Sequence, residues 1–232
     1  MRAAACLLGA AFGAVCAGVV LGAFTGVDGW ALNHLMPWMS TSGNPATLAS
    51  TLLPFTGGTP GGAIPLDLWV YPASFPASAA LVGAVCLLLW RRGSRRPAIL
   101  WATVWLLANL GELLGKTVVS RPALYRAGHE GGAGFFAHSF PSGHAARGSL
   151  VAALVALLWP RARALAGAWI AVTFVLLVVN GFHAPSDVLG GALLAGVLIA
   201  AALRLLEARE GARPAPPRRA PPGDSASGCG AR

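Results

Sequence analysis

Charge is scarce in this sequence. Only 11% of its 232 residues are Asp, Glu, Lys or Arg, and 56% are hydrophobic, whereas a soluble domain carries about a quarter charged residues. The surplus apolar surface calls for lipid. Lysine is almost missing, with Lys116 the only one among 17 basic residues. The net charge of +9 therefore rests on arginines that lie between or beside apolar runs, not along one face. They read as topology signals and not as a nucleic-acid surface. Cysteine is scarce too. Cys6, Cys16 and Cys86 lie in apolar stretches and Cys229 in a polar one, without a CxxC pair, so neither a metal site nor a disulfide framework is indicated. No internal repeat is present.

What the chain does have is long apolar runs. A bilayer core takes roughly 20 residues of helix to cross, and six stretches approach that length: Ala3 to Thr25, Leu68 to Trp90, Ala98 to Leu114, Gly143 to Trp159, Ala164 to Phe182 and Val188 to Leu206. These predict an all-α bundle of six transmembrane helices in one domain, residues 1–206. The first run exceeds the about 7–15 residues of a signal-peptide core, so it reads as a span. Asn33, His34, Pro37, Trp38 and Met39 predict a short interfacial helix after it. From Glu207 the chain turns Pro/Arg/Gly/Ser-rich, and residues 207–232 are expected to form a disordered tail. Trp69, Trp90, Trp101, Trp105 and Trp159 lie near span ends or faces, as in aromatic belts.

Arginine placement orients the bundle. Arg2, the cluster Arg91, Arg92, Arg95 and Arg96, the pair Arg161 and Arg163, and the residues from Arg204 onward fall at alternate span ends, hence on one side. Residues 3–90 contain no Lys or Arg. Both termini are therefore expected in the cytoplasm and the first long loop outside it.

Setting those arginines aside leaves Lys116, Arg121, Arg126 and Arg147 with His129, His138, His144 and His183, between spans three and four and at the start of span six. Ionisable groups at membrane-helix ends are costly unless used. In Phe140-Pro141-Ser142-Gly143-His144, Ser142 can cap the fourth span, and Gly143 opens it with free backbone N–H groups and a helix dipole suited to an anion. In His183-Ala184-Pro185-Ser186-Asp187, one helical turn brings His183 to Asp187. A carboxylate on one imidazole nitrogen leaves the other as a nucleophile. Lys116 and Arg121 can neutralise phosphoryl oxygens, and His144 can protonate a leaving group. His138 reads as a loop hydrogen-bonding residue, and Arg126, His129 and Glu130 as a solvated flank of Gly131 to Gly134.

These blocks resemble the type 2 phosphatidic acid phosphatases, which share a site with vanadium haloperoxidases. The resemblance lies in Lys116 to Pro122, Pro141 to His144 and His183 to Asp187, in that order, and spans residues 28–200. It implies a haloperoxidase-like core. It further implies that His183 takes up the phosphoryl group, Asp187 orients it, His144 protonates the leaving alcohol or phosphate, and Lys116, Arg121, Ser142 and Gly143 hold the phosphate, with no metal or other cofactor. The implied substrate is a lipid phosphate or diphosphate: an isoprenoid diphosphate such as undecaprenyl diphosphate, phosphatidic acid, or phosphatidylglycerol phosphate. Two arginines of the family pattern are absent. Seven residues after Lys116 stands Ala123, and six before His183 stands Leu177. Arg147, three residues after His144 on one helical face, is the expected replacement. With two arginines gone, an inactive lipid-phosphate binding or transport protein is the alternative, and a lipid phosphotransferase a third reading.

Overall fold

Small residues decide how this bundle packs. The computed structural model describes residues 2–36, 68–125, 127 and 135–210. Among them seven α-helices follow in order: α1 (Arg2–Val20), α2 (Thr25–His34), α3 (Phe75–Arg91), α4 (Arg95–Val118), α5 (Gly143–Leu158), α6 (Arg163–Val179) and α7 (Pro185–Glu210). Short 3-10 turns precede α3 at Tyr71–Ala73 and α6 at Pro160–Ala162. The described residues hold no strand, only an isolated bridge between Leu124 and Phe135.

Four helical stretches are long and apolar enough to cross a membrane: Ala3–Val20, Arg95–Val118, Pro160–Val179 and Pro185–Ala208. The apolar helices α3 and α5, at 17 and 16 residues, are shorter. The chain is thus a multi-pass membrane protein. All six apolar runs are helical, with shifted ends. The first stops at Val20 and not at Thr25, because the chain turns through Leu21–Phe24 with Gly22 at φ 74°. The third continues past Leu114 to Val118, which puts Lys116 in its last turn. The last runs to Glu210, four residues into the stretch expected to be a tail, while residues 211–232 lie outside the described residues. Asn33 and His34, expected in a short interfacial helix, instead close α2, which begins at Thr25, and Pro37, Trp38 and Met39 lie outside the described residues.

Helix α5 is the hub, packed against α3, α4, α6 and α7. Its buried face is largely small: Gly143, Ala145, Ala146, Gly148 and Ala152, joined by Leu150 and Leu154. The facing stretch of α7 is equally fine-grained at Gly190, Gly191 and Ala195. Large apolar side chains point the other way, with Leu7, Leu106, Leu165 and Val175 at least 60% exposed. Lipid supplies no hydrophobic drive between helices, so close backbone approach through small residues holds them together. At Gly191 that approach is tightest: a Cβ would stand 2.2 Å from the Ser142 carbonyl oxygen.

Chain direction sets the two ends apart. Helix α4 leaves the Arg95 end and finishes at Lys116, α5 starts at Ser142 and finishes beside Arg161, and α7 starts beside His183 and runs toward Arg204. The histidine-bearing ends therefore lie together, opposite the arginine-rich turns. Gly191→Ala is expected to lower the detergent unfolding temperature through an overpacking cost of about 1–3 kcal/mol. Gly83→Ala, where a Cβ meets nothing within 4 Å, should leave it unchanged or raise it through helix propensity.

Candidate active site

Two helix N-termini meet here. The Ser142 N–H donates to the Asp187 carbonyl at 2.9 Å, tying the start of α5 to the first turn of α7. Ser142 is fully buried and caps α5, its Oγ accepting from the Ala145 N–H at 3.2 Å. The N–H groups of Gly143 and His144, at the first two helical positions, have no acceptor inside the helix. This end of α5 thus offers donors and a positive dipole end. Across it the imidazoles of His144 and His183 stand with ring centroids 6.2 Å apart. The Leu177 carbonyl, at the end of α6, accepts from the His183 N–H at 3.1 Å and fixes the loop.

Asp187 is fully buried and heavily used. Its Oδ1 accepts from Arg121 Nη1 at 2.8 Å, and its Oδ2 from Ser139 Oγ and, at 3.0 Å, from the Ala184 N–H. His183 Nδ1 stands 3.7 Å from Oδ2, inside ion-pair range but beyond a hydrogen bond, and is buried without a hydrogen-bond partner. The one-turn spacing does bring His183 to Asp187. The oxygen facing it already serves two other donors.

Arg121, expected at the phosphate, has its guanidinium between two carboxylates. Nη1 meets Asp187 and Nη2 meets Asp28 Oδ2, and the side chain is 2% exposed. Asp28, on α2, also accepts from the Ser186 N–H at 3.0 Å and the Ser186 hydroxyl at 2.6 Å. Sequence reasoning passed over Asp28, although a signal existed: it and Asp67 are the only acidic residues before Glu112. A carboxylate in so apolar a stretch is a site candidate by default.

A second charged group adjoins the start of α5. Glu112 Oε1 accepts from Lys116 Nζ at 2.7 Å and its Oε2 from Arg147 Nη1. Arg147, 1% exposed, also donates from Nη1 to Asn109 Oδ1 at 3.0 Å and from Nε to the Ala73 carbonyl at 3.1 Å, with Nη2 unpartnered. The Glu112 carboxylate presses on α5 itself: a Cβ on Gly143 would stand 1.9 Å from Oε2. Lys116, Gly143 and Arg147 therefore gather around one carboxylate. His138 is exposed, and Leu177 is fully buried among Val70, Ala145 and Val188. Arg126, His129, Glu130 and Gly131 to Gly134 lie outside the described residues.

An apolar groove of about 420 Å³ runs between α6 and α7 beside the His183 loop. Leu35, Phe174, Val178, Pro185, Val188 and Leu189 line it.

Residues 112–210 match the family model described as the PAP2 superfamily. The fold matches a solved structure described as the first transmembrane PAP2 type phosphatidylglycerolphosphate phosphatase from Bacillus subtilis. The TM-score is 0.59, the identity 18%, and the match covers 90% of this chain and 99% of that one. No curated protein matches in sequence. The matched segment opens at Glu112 and takes in Lys116, both histidines and Asp187, whereas Asp28 precedes it. The ordered motif blocks fall inside that segment, so residues 112–210, less than half of the chain, are what matches the PAP2 superfamily, on helices folded as in a transmembrane PAP2 protein.

Proposed function

We propose that this protein is a membrane phosphatase that hydrolyses a lipid phosphate or diphosphate through a phosphohistidine on His183. The observation that carries the reading is the pair of imidazoles at 6.2 Å across the N-terminus of α5, where an anion meets backbone donors and a favourable dipole. Asp187 faces His183 Nδ1, which leaves Nε2 as the nucleophile. Nε2 attacks phosphorus in line. The P–N bond forms as the P–O bond to the lipid breaks, and His144 gives its proton to the departing oxygen. His144 then takes a proton from water as that water attacks phosphorus, the P–N bond breaks and inorganic phosphate leaves. Lys116, Ser142, the Gly143 N–H and Arg147 hold the phosphoryl oxygens, and Arg121 serves the site through Asp187. No metal takes part.

The groove between α6 and α7 favours a lipid substrate, since an apolar chain seated there would place its headgroup by the His183 loop. Isoprenoid diphosphate, phosphatidic acid and phosphatidylglycerol phosphate all fit that chemistry, the last being the class named for the Bacillus subtilis relative. All six apolar helices span the bilayer in this reading, α3 and α5 with help from their flanking turns. The arginine-rich turns and both termini face the cytoplasm and the histidines face away from it. A second reading, a protein that binds or moves lipid phosphates without cleaving them, draws on the pairing of the site cations with carboxylates and on the missing arginines at Ala123 and Leu177. Phosphotransfer to an acceptor alcohol would use the same intermediate, and product analysis with and without acceptor separates it.

Purified protein is expected to release inorganic phosphate from long-chain lipid phosphates at the same rate with and without chelator, and His183→Ala to lose about 10³-fold or more in kcat. Loss of turnover on adding chelator counts against a metal-free site, and lipid phosphate binding without phosphate release supports the second reading. Arg147→Ala should lower kcat/KM by about 10²-fold, the typical worth of one oxyanion donor. Thermal unfolding of the same sample corrects for protein lost with the Glu112 ion pair, and a folded Arg147→Ala enzyme at wild-type kcat/KM removes Arg147 from the phosphate site.

A further inference from the structure

The cation at Arg121 poses an electrostatic problem. A carboxylate helps a nucleophilic imidazole by presenting negative charge to the proton on its far nitrogen. Asp187, paired at 2.8 Å with a buried guanidinium, would on its own form a neutral couple, its charge largely cancelled before His183 could feel it. Burial sharpens the effect, because Arg121 and Asp187 are 2% and 0% exposed at the side chain and little water screens them.

Asp28 changes that balance. It binds the other terminal nitrogen of the same guanidinium and is itself fully buried. Asp28, Arg121 and Asp187 then form a chain of two negative charges around one positive, with a net charge of −1. One full negative charge is restored to a group whose end facing His183 is Asp187 Oδ2, 3.7 Å from Nδ1. Asp28 also holds the element that carries the catalytic pair. Its Oδ1 accepts from the Ser186 N–H and its Oδ2 from the Ser186 hydroxyl, so the residue before Asp187 is fixed to α2. Apolar packing seats α2 in register, with Ala31, Leu32 and Met36 against Leu124, Phe135 and Ala184.

We infer that Asp28 is a positioning residue for phosphoryl transfer: acting through Arg121 and Ser186, it keeps the Asp28–Arg121–Asp187 group net negative and Asp187 aimed at His183. The inference rests on His183 and Asp187 having the roles proposed above. It gives α2 a part in catalysis, although α2 lies outside the segment that matches the family. It also gives Arg121 a task other than holding phosphate.

The test is kinetic, on the full-length protein in detergent with a long-chain lipid phosphate. Asp28→Asn keeps the shape and an oxygen for the Ser186 N–H while removing the charge. It should lower kcat about 30-fold with KM within about twofold, because Asp28 touches no substrate. Arg121→Gln added to Asp28→Asn returns the chain to a net −1, and should raise kcat at least about threefold above Asp28→Asn alone, a non-additivity reserved for coupled groups. Arg121→Lys, which keeps one charge but lacks the two separate terminal nitrogens that meet Asp28 and Asp187, provides the same reading if Asp28→Asn fails to fold: kcat should fall with KM unchanged.

Several results overturn the inference. One is a folded Asp28→Asn enzyme with wild-type kcat. Another is a double variant no faster than Asp28→Asn, which marks a scaffold role only. A third is an Arg121→Lys enzyme whose KM rises tenfold at constant kcat, which marks a direct phosphate ligand. Failure of the wild type to release phosphate is distinct from all three, as it brings down the functional reading and this inference with it.

Discussion

A single backbone hydrogen bond, Ser142 N–H to the Asp187 carbonyl, joins the two helix starts on which the site depends. It forms only because the α5–α7 crossing is made of small residues, Gly191 above all, where a side chain would collide with the Ser142 carbonyl. Slide one helix by a turn and the chemistry is gone. His144 rides on the first turn of α5 and His183 just before α7, so the closeness of the helix ends is what brings one imidazole to the other. Packing without hydrophobic drive, through glycine and alanine, is here also the way the proposed catalytic pair is brought together.

Around that junction the buried charges balance. Lys116, Arg121 and Arg147 face Glu112, Asp28 and Asp187, and every cation has at least one carboxylate partner. Summed over the whole junction, net charge would therefore not draw an anion to the proposed site, although the Lys116–Glu112–Arg147 group beside α5 has two cations on one carboxylate. The local pull comes from the unpaired donors at the start of α5, its dipole, and cations that are fixed but shared. A buried carboxylate between two cations also keeps them from repelling each other, so Glu112 gives Lys116 and Arg147 a common anchor at Gly143. This arrangement differs from one built on freely exposed arginines.

The sequence showed much of this and concealed a definite part. All six apolar runs are helices because their length and hydropathy reflect a solvent, lipid, that acts on every residue alike. The three motif blocks gather at one end because helix direction alternates. Other features depend on contacts across long chain separations. Arg121 meets Asp28 over 93 residues and Arg147 meets the Ala73 carbonyl over 74, and no local spacing announces either. The break after Val20 was missed for a simpler reason: hydropathy runs on through Thr25, whereas Gly22 turns the backbone. The four-residue spacing anticipated that His183 and Asp187 lie close, 3.7 Å apart, but it carries no information on Ser139 and Ala184, which take the same oxygen.

The central claim is that His183 itself carries the phosphoryl group. Rapid quenching of the enzyme during turnover of a lipid phosphate, followed by peptide mass spectrometry, tests it most directly. The account predicts a phosphate on the His183 peptide, stable in base and labile in acid, that forms and decays within the turnover time. Steady hydrolysis with no phosphate on that peptide, or with phosphate on another side chain, would contradict it.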